Sequence, residues 1–371
     1  MAWIAPKHTV QQVNAAGKAL VRAQDLSYFG KHIGEYFNAL DVINNFRASH
    51  AFPLNTFQIN LRAVSKRFDE DALVAQRIKR MASISQKLVL RPSMKLSQMQ
   101  DLGGCRAIVQ NIATVKLIED YYLNRSNIKH VLASHDDYIA TPKQSGYRGV
   151  HLVYRYFSDK SEIYNGMKIE LQVRSRYQHA WATAVETVGM FSGQALKSSL
   201  GSVEWQRFFA LMGSVIALRE GGPIVPGTPT NRVDLIAELA HLGTELQVES
   251  RLSEFNRAVH AISSGDDLDA FYYLLQLDPV SGTLTVTGYS EKQKETASAA
   301  YAKAEEEGKS KPGMDAVLVS VESVGSLAKA YPNYFADTRV FLSLLRQAIT
   351  GKSRSIKVAD VKFTQRSLFE E

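Results

Sequence analysis

VHLVYRYFSDKSEIYNGMKIELQVR, residues 150–174, reads as two strands joined by a turn. Apolar and polar residues alternate through Val150–Phe157 and again through Met167–Arg174, and Asn165-Gly166 supplies the bend. In the second strand a period of two sends Ile169, Leu171 and Val173 to a core. Glu170, Gln172 and Arg174 then share the opposite, polar face. An antiparallel hairpin with one charged face predicts an α+β or α/β domain built on a mixed sheet.

Working outward, CRAIVQ (105–110) and HVLASHDDYI (130–139) read as further strands. Helical periodicity runs through residues 10–50, with Val21, Leu26, Phe29, Ile33, Phe37 and Leu40 at spacings of three to five. A helix entered through Asp69 is expected over 69–88, and others over about 112–125, 176–191 and 203–219. EGGPIVPGTPTN, Glu220 to Asn231, carries three Gly and three Pro and reads as a hinge. Beyond it come helices within about 232–263 and the hairpin FYYLLQLDPVSGTLTVTGY. A charged helix near 290–307, the strand DAVLVSVES and a helix from Pro332 to about Ile349, stopped by Gly351, complete the pattern. The expected domains are 1–220 and 232–371, with 221–231 as the hinge.

Over 371 residues, 45% hydrophobic and 22% charged residues describe a chain with real cores. The lone Cys105 excludes an internal disulfide and a cysteine zinc cluster. No secretory leader and no apolar run long enough for a membrane span are seen, so a cytoplasmic enzyme is expected. The net charge of +7 is uneven: residues 1–220 hold 28 Lys/Arg against 17 Asp/Glu, leaving the remainder mildly acidic. A basic half suits polyphosphate or nucleic acid, and an acidic half can dock on it. Lys31, Arg62, Lys66, Arg67, Lys143 and Arg148 are candidate groove cations.

Three clusters point to chemistry. RIKRMASISQKLVLRP carries Arg77, Lys79, Ser83, Lys87 and Arg91, and steps of four would place Lys79, Ser83 and Lys87 on one helical face, suited to a triphosphate. DLGGCRAIV sets Asp101 and Arg106 around a Gly-Gly turn, where a carboxylate can hold a hard cation and a guanidinium can clamp phosphate or stack on a base. YIATPKQSGYRGVHLVY makes an irregular loop through Pro142, Gly146 and Gly149 that presents Lys143, Tyr147, Arg148 and His151. Tyr147 offers a face for a nucleobase. Glu170 can bind Mg²⁺ or accept a hydroxyl proton.

Together, R-x-K-x₃-S-x₃-K, D-x₄-R, G-Y-R-x-x-H and E-L-Q-V-R resemble the RelA/SpoT synthetase family over about residues 60–190. The resemblance implies a nucleotidyltransferase-like synthetase domain that moves pyrophosphate from ATP to a ribose hydroxyl. It implies that Arg77 and Arg106 sandwich adenine and that Lys79, Ser83 and Lys87 hold the phosphates. It makes Asp101 and Glu170 the Mg²⁺ ligands, with Glu170 also the base. Tyr147 would stack on the acceptor base, with Lys143, Arg148, His151 and Arg174 around the acceptor. Tyr331-Pro-Asn-Tyr334 and the two-part organisation also look like CapRel, a fused toxin–antitoxin family. That likeness implies a C-terminal pseudo-zinc-finger module covering the ATP site through Tyr331 and Tyr334, and release by a phage major capsid protein. It also implies pyrophosphorylation of the tRNA 3′ end in antiviral defence. The motifs do not separate this acceptor from the family's other one, GDP or GTP, giving (p)ppGpp; the basic first half makes tRNA the favoured expectation and GDP or GTP the alternative.

Overall fold

The computed structural model describes residues 3–191, 203–249, 252, 272–278, 283–290, 315–320 and 338–351, with scattered positions between 293 and 307. Two compact units result. One comprises Met1–Lys143, Tyr147–His179 and Glu220–Pro223; the other comprises Gln144–Gly146, Ala180–Arg219 and Ile224–Glu371. The Pro/Gly-rich segment thus gives its first four residues to one unit and the rest to the other.

The first unit opens with helices α1 (Val10–Arg22), α2 (Leu26–Lys31), α3 (Ile33–Ser49) and α4 (Ala51–Phe68). Thr9 and Gln12 close a reciprocal capping box on α1. Strands β1 (Leu73–Ile78), β2 (Gly103–Val109), β3 (Val131–Asp137), β4 (Val150–Arg155) and β5 (Lys168–Ser175) form one sheet, in the order β1-β2-β5-β4-β3. Only β2 and β5 pair in parallel. The expected hairpin is therefore β4–β5, with Gly166 at φ +86° in its loop.

Alternation divides this sheet cleanly. Cys105, Ala107, Val109, Val150, Leu152, Ile169, Leu171 and Val173 are buried together with Leu54, Phe57, Leu61 and Val64 of α4. Helix α6 (Ile112–Asp120) adds Val115 and Ile118 to the same core. Against this apolar layer the opposite face carries Arg106, His151, Glu170, Gln172 and Arg174. A second core joins α1 and α3 to α5 (Met81–Leu90), through Val13, Leu20, Ile43, Ile84 and Leu88.

Two expectations are corrected. Residues 69–88 are not one helix: Asp69 ends α4, β1 follows, and α5 starts only at Met81. The Asp69 carboxylate accepts the amide N–H of Gln110 at 2.7 Å, which ties the end of α4 to the end of β2. LVAQRI is too short for periodicity to separate strand from helix, and pairing with β2 decides. Gly103 and Gly104 do not form a turn; both lie within β2. A Cβ on Gly103 would meet Ile169 Cδ1 at 2.9 Å, so a side chain there would require Ile169 to shift.

Helix α7 (Arg176–Phe191) follows β5. In the second unit α8 (Val203–Arg219), α9 (Arg232–Glu245) and α10 (Arg339–Thr350) pack through Phe208, Leu235, Leu239, Phe341 and Leu345. Arg207 forks onto Glu238 at 2.6 and 2.8 Å. Gly351 stops α10 in the left-handed conformation, as expected. Strands β6 (Tyr272–Asp278), β7 (Thr283–Tyr289) and β8 (Asp315–Ser320) make an antiparallel sheet in the order β7-β6-β8. The turn through Pro279 and Gly282, and both Tyr331 and Tyr334, lie outside the described residues.

Candidate active site

The polar sheet face places its groups by register. Arg77, Gly104 and Glu170 lie side by side across β1, β2 and β5; Arg106, Gln172, His151 and Asp136 form the neighbouring row across β2, β5, β4 and β3. Glycine at 104 leaves space beside the carboxylate, since a Cβ there would stand 3.9 Å from Glu170 Oε2.

Glu170 is the hub. His151 Nδ1 donates to Glu170 Oε1 at 2.9 Å, and Gln172 Nε2 donates to Oε2 at 2.7 Å. Arg174 Nη2 donates to the Tyr147 hydroxyl at 2.6 Å, which lies 2.5 Å from His151 Nε2. Arg174 Nη2 and Arg106 Nε both donate to Gln172 Oε1. Because the Tyr147 oxygen accepts from Arg174, its own proton goes to His151 Nε2. A neutral imidazole with the proton on Nδ1 then satisfies every partner. Burial works against the Glu170 charge, but the hydrogen bonds donated by His151 and Gln172 favour the ionised form, and its pKa is lowered. The result is an ionised carboxylate held in a fixed orientation.

The Tyr147 loop depends on two positive-φ glycines, Gly146 at +90° and Gly149 at +148°. The Tyr147 ring meets Tyr138 and His151 edge-on at 5.8 and 5.5 Å. Arg174 lies over it at 4.9 Å and Lys143 at 5.3 Å, while Lys143 sits 3.9 Å from the Tyr138 ring.

Asp101 precedes β2, and both of its oxygens are engaged, by Lys79 and Lys87 at 2.8 Å each. Burial opposes its ionisation, yet the two ammoniums bring its pKa down to about 2. Lys79 enters from the link after β1, and Ser83 and Lys87 from successive turns of α5. Lys79 and Lys87 thus converge on Asp101 from a strand end and a helix rather than from one helical face. Burial, with Arg174 and Arg77 nearby, pulls Arg106 down to about 9, so it remains charged at neutral pH. Among the described residues no three acidic, histidine or cysteine side chains cluster as a metal site. Asp101 and Glu170 nevertheless suit Mg²⁺, which takes one or two protein carboxylates and completes its shell with phosphate and water.

Some candidates are placed elsewhere. Arg148 is 2% exposed and donates to the carbonyls of Pro223 at 2.7 Å and Ile139 at 3.0 Å. It secures the loop and does not face an acceptor. Arg62, Lys66 and Arg67 belong to α4, which covers the apolar side of the sheet, so they do not line a groove with Glu170. Gln172 and Tyr138 were not assigned roles by sequence reasoning. Alternation with Glu170 marks the first, whereas Tyr138 becomes a neighbour only through the β3–β4 pairing.

Residues 76–190 match the family model described as the region found in RelA / SpoT proteins. The candidate site lies inside that RelA/SpoT-type region. The chain is 30% identical over 112 residues to GTP pyrophosphokinase YjbM of Bacillus subtilis, covering 30% of this chain and 52% of that protein. It is 30% identical over 83 residues to GTP pyrophosphokinase YwaC of the same organism, covering 20% and 40%. The chain thus spans about half the length of the curated relatives it matches. Among solved structures, small alarmone synthetase 1 of Bacillus subtilis bound to its product pppGpp is 21% identical. It has a TM-score of 0.42 and covers 48% of this chain and 92% of that one. A GTP pyrophosphokinase family protein from Streptococcus pneumoniae is 24% identical, with a TM-score of 0.39 and coverage of 47% and 87%. No described helix is long and apolar enough to cross a membrane.

Proposed function

We propose that the chain is an ATP-dependent pyrophosphokinase whose acceptor is GDP or GTP. The observation that carries this reading is the ionised Glu170 on a polar sheet face that also holds Arg106, with the Lys79–Lys87–Asp101 cluster at the start of β2. The acceptor hydroxyl oxygen attacks the β-phosphorus of ATP, and the bond from that phosphorus to the α,β-bridging oxygen breaks. AMP leaves and the acceptor gains a diphosphate. The hydroxyl proton passes to Glu170. Lys79, Ser83 and Lys87 bind the triphosphate, Arg77 and Arg106 hold adenine, and Tyr147 with Lys143 receives the guanine. Mg²⁺ on Asp101 and Glu170 would neutralise phosphate charge. The residues themselves align the reactants and supply charge, which is most of what phosphoryl transfer requires. Support for the acceptor comes from the two Bacillus relatives, both GTP pyrophosphokinases.

A second reading, tRNA as acceptor, is favoured by the excess of Lys and Arg in residues 1–220. One assay separates the two. ATP labelled at the γ-phosphate is incubated with the full chain, Mg²⁺, GDP and tRNA together; label is expected in ppGpp. Label in tRNA with none in a guanosine product would reverse the assignment. Restraint by residues 232–371, with release by a phage protein, is a further proposal that rests on resemblance and charge. It requires Tyr331→Ala with Tyr334→Ala to raise the basal rate in the same assay.

A further inference from the structure

We infer that Lys79 and Lys87 act as a counter-ion latch on Asp101, making divalent-metal binding conditional on a polyphosphate. This rests on the proposed reading of Asp101 and Glu170 as the metal pair. Both Asp101 oxygens already hold an ammonium at 2.8 Å, and Glu170 is occupied by His151 and Gln172. The two carboxylate charges are cancelled by the two lysines, and Arg77, Arg106, Arg174 and Lys143 add positive charge around Glu170 and Lys79. A free divalent cation therefore meets no net attraction, and to coordinate Asp101 it must also displace two largely buried ion pairs, whose side chains are 11% to 27% exposed.

A triphosphate reverses this balance. Its oxygens offer the two ammoniums a better partner than one carboxylate, so the lysines swing to phosphate and bare Asp101. The metal is then held where the phosphates supply the ligands that the protein lacks, since two carboxylates alone leave most of an octahedral shell to be filled. The coupling is reciprocal: whatever the nucleotide does for the metal, the metal does for the nucleotide. Metal and nucleotide enter as one complex, and the protein does not store the ion between turnovers. The lysines thus have two successive partners, and their first keeps the acidic site from capturing loose cations.

The test uses Mn²⁺ as a paramagnetic probe, titrated into the full chain and followed by electron paramagnetic resonance. Mn²⁺ alone is expected to bind the wild type weakly and Lys87→Met about tenfold more tightly, within the usual range of site coupling. Asp101→Asn in the Lys87→Met background should abolish that gain. Lys79→Met supplies a second variant, and thermal melting confirms that each is folded. Unchanged affinity for Mn²⁺ alone in both lysine variants would overturn the latch, even if Mn²⁺ binds with a non-hydrolysable ATP analogue. Absence of protein-bound Mn²⁺ with the analogue as well would overturn the metal assignment itself, and with it the latch.

Discussion

Under the proposed function Tyr147 has two separable roles, and one substitution parts them. Phenylalanine keeps the ring for stacking but removes the oxygen that orients His151 and receives Arg174. Tyr147→Phe is expected to lower kcat by about tenfold to a hundredfold with little change in acceptor KM, a modest share of what proton-transfer groups contribute. Tyr147→Ala should raise acceptor KM as well, since base stacking is worth about 1–3 kcal/mol. Steady-state kinetics at varied acceptor concentration distinguishes them. Glu170→Gln should reduce kcat by at least about a thousandfold while ATP-analogue binding survives, checked by calorimetry. At this scale the sequence was informative wherever chemistry depends on residue type and strand alternation: Glu170, Gln172 and Arg174 share a face as read. It was uninformative about the partners that like residues find. Arg148 and Arg174 look equivalent in a list of cations, yet one holds carbonyls of the loop and the other holds Tyr147.

Between elements, the informative position is His50, which ends α3 and begins α4. It is 2% exposed, its Nδ1 contacts the Phe46 carbonyl oxygen at 2.7 Å, and burial pushes its pKa down to about 4. The unfolded chain takes up a proton near the ordinary value of 6.5, whereas the folded chain resists until about 4. Stability therefore falls as pH drops through that window, by roughly 3 kcal/mol, and this contribution levels off below it. His50→Gln should remove most of this slope, measured as melting temperature from about pH 7 to about pH 4.5. The elements themselves were largely legible, because strands β2 to β5 and helices α7 and α8 carry clear periodicity. The 69–88 segment was not, since a six-residue strand acquires its identity from β2. Leu26, Ile33 and Phe37 show the same limit from the other side: their spacing correctly predicts helix, yet each is exposed.

For the whole molecule, charge gives the discriminating experiment. A protein that neutralises six to ten tRNA phosphates loses about 10³ to 10⁵ in affinity between about 50 and about 200 mM salt. A guanosine nucleotide with a few phosphates is far less sensitive, so the acceptor KM is expected to change by less than about tenfold over that range. A steep salt slope in the acceptor KM would favour the polyanion. Hidden from the sequence at this scale was the order of strands, because β5 is the last strand of its sheet to be made but occupies the middle position. That order has a consequence during synthesis. Until residue 175 has cleared the ribosome, β2 and β4 each lack an inner neighbour, and the carboxylate of Glu170 has no site to complete. Under the proposed function, a nascent or prematurely terminated chain can contain every donor-binding residue and still be catalytically silent, so activity arrives only with the strand that closes the sheet.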